Sequence, residues 1–358
     1  MGIIERICLI AVLGMVAACN DMQYYTQSVQ GHLEIVGQAT DIEQLLVDDS
    51  LAPQVREKLV LVLQAREFAV EGLHLSVNDS YTEYVDLKRG YVVENLYAAE
   101  EFSTQLYTWC YPIIGCAGYR GYFDVAMLQR YRDVLIEQGY DTYVGHVTAY
   151  STLGWFDDPV LNTFVALPDY RLVGLIFHEL AHQQLYIDDD TVFNESFATA
   201  VEQAGLELFY ADGDDANQLG NYRAYRKRVN QLVSMAAQAR EELEGLYQQP
   251  LSVKNKRQQK AQVLRQLDHQ YAMLMNNQAA DAPVPVEFNN ARLGAMAAYH
   301  QQVPAFLQIL ASHQRDFVPF YAHVKRLGQL PAEERARCLE SWGEKARVSE
   351  TVVPALCR

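Results

Sequence analysis

The segment His178-Glu179-Leu180-Ala181-His182, followed closely by Asn194-Glu195-Ser196-Phe197-Ala198, constrains this 358-residue chain more than any other feature. On a helix, His178 and His182 stand at i and i+4. Both imidazoles then leave one face and can close on one metal ion. Glu179 points beside that face, where it can take a proton from water activated by the metal. A hydrolytic zinc needs a third protein ligand and one open position. Glu195, on the next helical segment, is well placed to supply the ligand. The flanking residues Leu172, Val173, Leu175, Ile176 and Phe177 are apolar, so the helix is expected to be buried, and a buried polar pair needs partners. Asp188, Asp189 and Asp190 between the two motifs read as a solvated turn capping the second helix rather than as a calcium loop.

Structural zinc is usually closed by four protein ligands, often thiolates. Here two imidazoles and one carboxylate are evident, and the remaining open position favours hydrolysis over a structural staple. A hydrolase also needs a donor to hold the oxyanion. Tyr150, Tyr170, Arg120, Tyr299 and His300 are candidates, although for each one taken singly ordinary packing explains the residue as readily. A ligating imidazole donates its other N–H to an oxygen, and Asn194 and Glu202 could accept it. Glu202 lies two turns beyond Glu195 on the same face and stays open as an alternative third ligand. Asn289-Asn290 reads either as a contact to a substrate backbone or as a loop-to-helix cap. His146 reads as a surface histidine.

These motifs occur together with Trp109-Cys110-Tyr111-Pro112, Gly115-Cys116, Tyr119-Arg120-Gly121-Tyr122-Phe123, Tyr150-Ser151-Thr152-Leu153-Gly154-Trp155-Phe156-Asp157-Asp158-Pro159 and Leu167-Pro168-Asp169-Tyr170. Over most of the mature chain the set resembles the bacterial family of predicted zinc aminopeptidases, within the gluzincin branch of zinc metallopeptidases. The resemblance implies a zincin-like core, peptide substrates, and one zinc per chain on His178, His182 and Glu195. It further implies an oxyanion donor, Tyr or His, from a later segment. By the same analogy, the stretch 143–150 would be an edge strand that pairs with the substrate backbone. Two departures leave exo versus endo cleavage open. The gap from His182 to Glu195 is shorter than in the well-known gluzincin aminopeptidases, and their Gly-Ala-Met-Glu-Asn motif is absent. The alternative is a catalytically inactive zincin-like envelope lipoprotein that binds peptides or partners. The intact Glu179 argues against it.

Ile7 to Val16 is an apolar run too short for a convincing membrane span. It ends in Val16-Ala17-Ala18-Cys19, which resembles a lipobox. Residues 1–18 are therefore expected to be a lipoprotein signal peptide, with Cys19 carrying the lipid. Asn20 after it favours the outer membrane of a Gram-negative cell, facing the periplasm. In that oxidising compartment the remaining Cys110, Cys116, Cys338 and Cys357 are expected to form two disulfides, most simply Cys110–Cys116 and Cys338–Cys357. The net charge of −16 argues against nucleic acid and anionic membrane surfaces as partners.

The fold expected is mainly α with a small β-sheet, an α+β class. Residues 19–358 read as a single peptidase domain, with a catalytic core at 100–215 and a helical C-terminal region at 216–358. Helical periods run over 24–46, 53–73 and 124–138, the last closed by Gly139. Residues 140–150 alternate and are rich in Tyr, Val and Thr, which predicts a strand. Residues 221–276 predict two long helices broken near Pro250. Pro283 and Pro285 mark a loop, and 290–312 predicts a helix interrupted near Pro304. Oligomeric state is not legible.

Overall fold

The apolar period around the His-Glu motif becomes a central buried helix in the computed structural model, which describes residues 22–111, 115–149, 157–211, 216–276, 287–348 and 352–358. The expected signal peptide, Cys19, Tyr150 and the Pro283/Pro285 loop lie outside these residues. Among the described residues no helix is long and apolar enough to cross a membrane.

The described residues open with helix α1 (22–36). One helix is expected over 24–46, but the chain turns at 37–39 instead. Strand β1 (Thr40–Asp41) follows, and Asp41 caps a new short helix, α2 (Ile42–Leu46), by accepting from Gln44 N at 2.9 Å. A capping side chain that satisfies a free N–H favours a helix start over continuation. Helix α3 (Pro53–Glu71) carries its proline in the first turn, where no N–H is needed. Five short strands follow: β2 (Glu83–Val85), β3 (Val93–Glu100), β4 (Trp109–Tyr111), β5 (Gly115–Ala117) and β6 (Arg120–Tyr122). Helix α4 (Val125–Glu137) is capped by Asp124 and gives way to Gly139, whose φ of +89° suits glycine. Strand β7 (Tyr140–Val147) and the pair β8 (Val160–Leu161) and α5 (Asn162–Val165) lead to α6 (Asp169–Gln184) and α7 (Thr191–Phe209).

The rest is helical. It comprises α8 (Ala216–Gln248), α9 (Val253–Asn276), α10 (Asn290–His300), α11 (Val303–Ser312), α12 (Phe317–Gly328) and α13 (Ala332–Arg347), ending in a 3₁₀ turn at Ala355–Cys357. The break between α8 and α9 falls at Pro250 as expected, but α8 begins five residues before the expected start at 221. The fold is mainly α with small sheets, as expected.

Strand β3 is central in the sheet β6-β3-β7 and pairs antiparallel with both neighbours, Leu96 facing Arg120 on one side and Val144 on the other. The outer edge of β7 pairs with no other strand among the described residues. Strands β4 and β5 form a hairpin in which Cys110 faces Cys116, and the two are joined by a disulfide. A second disulfide, Cys338–Cys357, ties the terminal 3₁₀ turn to α13. Both expected pairings are present.

The principal core joins α3, α6 and α7 to α11, α12 and α13, so the last three helices share one apolar interior with the motif helices. Helices α8 and α9 have a smaller core of their own, to which Phe288 and Leu293 contribute. Along α6, Leu172, Val173, Ile176, Phe177, Leu180 and Ala181 are all fully buried, at the spacing a helix needs to hide one side. That burial fixes the rotation of α6 and hence the direction in which its histidines leave.

Candidate metal centre

Helices α6 and α7 form an antiparallel pair whose close approach depends on small residues. A Cβ on Gly174 of α6 would stand 2.9 Å from Leu206 and 3.2 Å from Glu202 of α7. One on Gly205 of α7 would stand 2.8 Å from Phe177 of α6. With the helices that near, Glu195 and Glu202 both reach the histidines.

The loop between the two helices is firmly held. Asp190 caps α7 by accepting from Phe193 N at 3.0 Å, and its other oxygen pairs with Arg335 of α13 at 2.7 Å. Asn194 binds the backbone of Ile187 twice, accepting from its N–H and donating to its carbonyl, each at 2.8 Å. Asn194 therefore orders the loop and makes no bond to an imidazole. Asp189 accepts from the N–H of Cys116, which pins the β4–β5 hairpin to the same loop. The three aspartates thus form a capping turn, and two of them also hold neighbouring elements. Arg335 is 7 % exposed, and its loss would leave Asp190 unpaired. Arg335→Ala is expected to cost about 3–5 kcal/mol, the usual penalty for breaking a mostly buried pair from one side. Urea unfolding measures it, and a cost below about 1 kcal/mol would make the pair incidental.

His178 Nε2 lies 3.3 Å and His182 Nε2 lies 3.8 Å from the same oxygen of Glu195, Oε2. His182 is 5 % exposed, and His178 and Glu195 are 12 % exposed. One atom from each residue falls within 4.8 Å of the others, a group able to bind a metal ion. Ligand atoms about 2 Å from a tetrahedral ion stand about 3.4 Å apart, close to the 3.3 and 3.8 Å separating the two Nε2 atoms from Glu195 Oε2. On the far side of the ring, His178 Nδ1 lies 3.5 Å from Glu202 Oε2. A carboxylate in this position could orient the imidazole toward a metal ion on the other side of the ring. The Nδ1 atom of His182 is buried without a partner among the described residues.

The charges agree with this arrangement. Burial alone would lower the pKa of His178, but its bonds to Glu195 and Glu202 and the nearby Glu179 outweigh burial and raise it well above the ordinary value. Burial takes the pKa of His182 down to about 4, against the opposing charge of Glu195. Burial would raise the pKa of Glu195, yet His178 and His182 pull it below its usual range. These shifts leave Glu195 ionised, His178 favoured in its charged form and His182 neutral.

Glu179 lies on α6 between the two histidines and exerts its charge on His178, Tyr81 and Tyr119. A group of tyrosines completes the surroundings. Tyr97 of β3, Tyr119 and Tyr299 of α10 all feel the charge of Glu195. Tyr97 and Tyr299 interact through their hydroxyls, and the rings of Tyr97 and Tyr119 have centroids 5.8 Å apart. Burial pushes the Tyr97 hydroxyl to about 12 and those of Tyr119 and Tyr299 well above their ordinary value, so all three remain proton donors at neutral pH. Tyr186 approaches from the loop, its ring 6.5 Å from that of His182. His300, next to Tyr299, feels both Glu202 and His178, and burial lowers its pKa to about 4. The α10–α11 junction is held against α7 by a bond from Gln302 N to Ser196 Oγ at 3.3 Å, beside Glu195.

Other expected site residues lie elsewhere. Arg120 sits among aromatic rings, with its guanidinium carbon 4.0 Å from the Tyr24 ring centroid and 5.0 Å from that of Tyr131. Tyr170 packs on Tyr222 and Tyr225 two turns before His178. Asn289 caps α10, and Asn290 is fully buried with bonds to the carbonyls of Glu100 and Glu101, so this pair is structural. His146 is exposed and pairs with Glu94 at 3.1 Å. Tyr150 lies outside the described residues. Tyr97 and Tyr119 had no legible role: neither lies in a motif with a metal spacing, and only the β3–β7 pairing and the packing of α10 on the sheet bring them in. Tyr186 lies beyond the end of α6, after Leu185 turns extended, so its approach to His182 follows from the loop and not from the helical period.

The chain matches the model of a protein family described as "Putative aminopeptidase" over residues 23–339. It belongs to that family. No curated protein and no solved structure matches it. Membership supports a peptidase-like function acting on peptide substrates.

Proposed function

We propose that the protein is a zinc-dependent aminopeptidase with a zincin-like centre, in which His178, His182 and Glu195 hold one zinc ion and Glu179 is the general base. The observation that carries this reading is the convergence of both Nε2 atoms on one oxygen of Glu195, with Glu179 beside them on the same helix. When bound, zinc would acidify water and polarise the scissile carbonyl.

The chain's own groups do the rest. Glu179 accepts a proton from the attacking water and passes it to the departing amine, the two steps a single carboxylate can serve in turn. Glu202 holds His178 so that its Nε2 stays on the metal side. Tyr299, backed by Tyr97, donates to the oxyanion as it forms. The outer edge of β7, beyond the Thr142 carbonyl that Asn289 holds, offers backbone N–H and C=O groups to an extended substrate. Two disulfides suit an oxidising compartment, in keeping with a lipid on Cys19 that anchors the chain at the periplasmic face of the outer membrane.

Glu202→Gln keeps the shape of the side chain and removes its charge. Zinc affinity is expected to fall about 10–100-fold, read by competition with a chromophoric chelator. An unchanged affinity would remove Glu202 from the account, and complete loss of zinc would make it a direct ligand. Tyr299→Phe is expected to lower kcat about 100-fold with KM little changed, as removal of an oxyanion donor does. A change confined to KM would assign Tyr299 to substrate binding instead. The reading itself is tested on amino-acid amides and short peptides with free or acetylated N-termini. Cleavage of free peptides that is lost with a chelator and restored by zinc supports it. Zinc binding without cleavage of any peptide would favour a binding protein.

A further inference from the structure

Helix α1 presents a stripe that the rest of the fold leaves uncovered. Met22, Tyr25, Val29, Leu33 and Val36 are 70, 41, 58, 62 and 43 % exposed. At about 100° per residue they fall within an arc of about 80°. The opposite side is fully committed to the body. Tyr24 stacks on Tyr111 with centroids 5.9 Å apart and lies under Arg120. Gln27 Oε1 accepts from Phe123 N at 2.8 Å and Asp124 N at 3.2 Å. Gly31 lies against Phe123 so closely that a Cβ would stand 2.2 Å from the ring, and Ile35 is 1 % exposed. The helix therefore cannot roll to hide its outer stripe. Scattered exposed apolar residues are ordinary, but five on one line, facing straight out, mark a surface that meets something apolar.

We infer that this stripe lies in the surface of a lipid bilayer, making α1 an in-plane contact helix that seats the protein on its membrane. The position of the stripe in the chain identifies the occupant. The apolar run 7–16 and Cys19 come directly before it, and three residues from Cys19 to Met22 span at most about 10 Å. A chain tethered at Cys19 therefore holds the start of α1 within about 10 Å of the bilayer, and the apolar side of the helix is the one turned away from the protein. An amphipathic helix of this kind sinks its apolar face to the boundary between headgroups and acyl chains.

Charge selects the lipid. Residues 22–36 contain one acidic residue, Glu34, and no Lys or Arg, while the whole chain carries −16. Nothing here attracts anionic lipid, and the body would be repelled by it. The surface it fits is zwitterionic. The location rests on the tether at residues 1–21, whereas the orientation rests on α1 alone.

The test reads depth residue by residue. The lipid-bearing mature chain, beginning at Cys19, is reconstituted with phosphatidylcholine vesicles, with a nitroxide on Leu33→Cys or, as the control on the polar flank, on Glu34→Cys. The signal of the unsubstituted chain is subtracted. Both positions are exposed, so neither change disturbs the core. The expected result is that relaxation by a water-soluble nickel complex is severalfold weaker at 33 than at 34, with relaxation by oxygen the reverse. Equal nickel access at both positions on vesicle-bound protein would overturn the inference and leave the tether intact. Failure of the chain to associate with vesicles would overturn both. Strong spin–spin broadening at 33 would assign the stripe to a second copy of the chain instead.

Discussion

Glu179→Gln is expected to keep its zinc and lose activity by about 10²–10⁴-fold, the usual contribution of a positioned acid–base group. The amide preserves the size of the side chain and its place on α6 but cannot take a proton. Glu179 stands outside the cluster of ligating atoms, which comprises His178, His182 and Glu195, so zinc content should match the parent. That combination separates a base from a ligand. Loss of zinc together with activity would mean that Glu179 coordinates the ion or holds the ligands in place. Retention of activity within a few-fold would dismiss it as the base, and the proton would have to go to another group near the centre.

Glu195→Ala is expected to remove zinc and activity together while leaving the fold intact. Both histidines aim at one oxygen of this side chain, and two imidazoles alone make a weak site. The substitution also relieves a crowded arrangement. Without the Glu195 carboxylate and without metal, His178 keeps its contact to Glu202. The change is read by zinc content after dialysis and by turnover at saturating zinc. Glu195→Asp, which shortens the reach by one methylene, should bind zinc weakly and regain part of the activity. If Glu195→Ala held one tightly bound zinc per chain, the third ligand would be another group, with Glu202 first in line.

Much of this centre could be read in advance because helix geometry is local. A four-residue spacing on a buried helix dictates that His178 and His182 share a face, and the capped second helix at Asp190 brings Glu195 alongside at the start of its second turn. The two disulfides were legible for the same reason, each closing a short span. The tyrosines were not. Tyr97 reaches Glu195 because β3 is the middle strand of a three-stranded sheet and α10 packs on it, a relation between segments some two hundred residues apart that no local period encodes. Arg120 and Tyr170 were open candidates for an oxyanion donor, and the partners the fold gives them are aromatic rings. Asn194 illustrates a third case. Its neighbour in the motif reaches the centre, whereas its own side chain serves the loop backbone, since adjacent helical residues point about 100° apart.

X-ray absorption at the zinc edge, on protein carrying its stoichiometric metal, reads whether His178, His182 and Glu195 hold one zinc ion. The expected result is one zinc per chain surrounded by nitrogen and oxygen at about 2.0–2.1 Å, with the outer-shell scattering of two imidazoles and no sulfur. Binding of less than one zinc per several chains after reconstitution, or scattering from sulfur at about 2.3 Å, would contradict it.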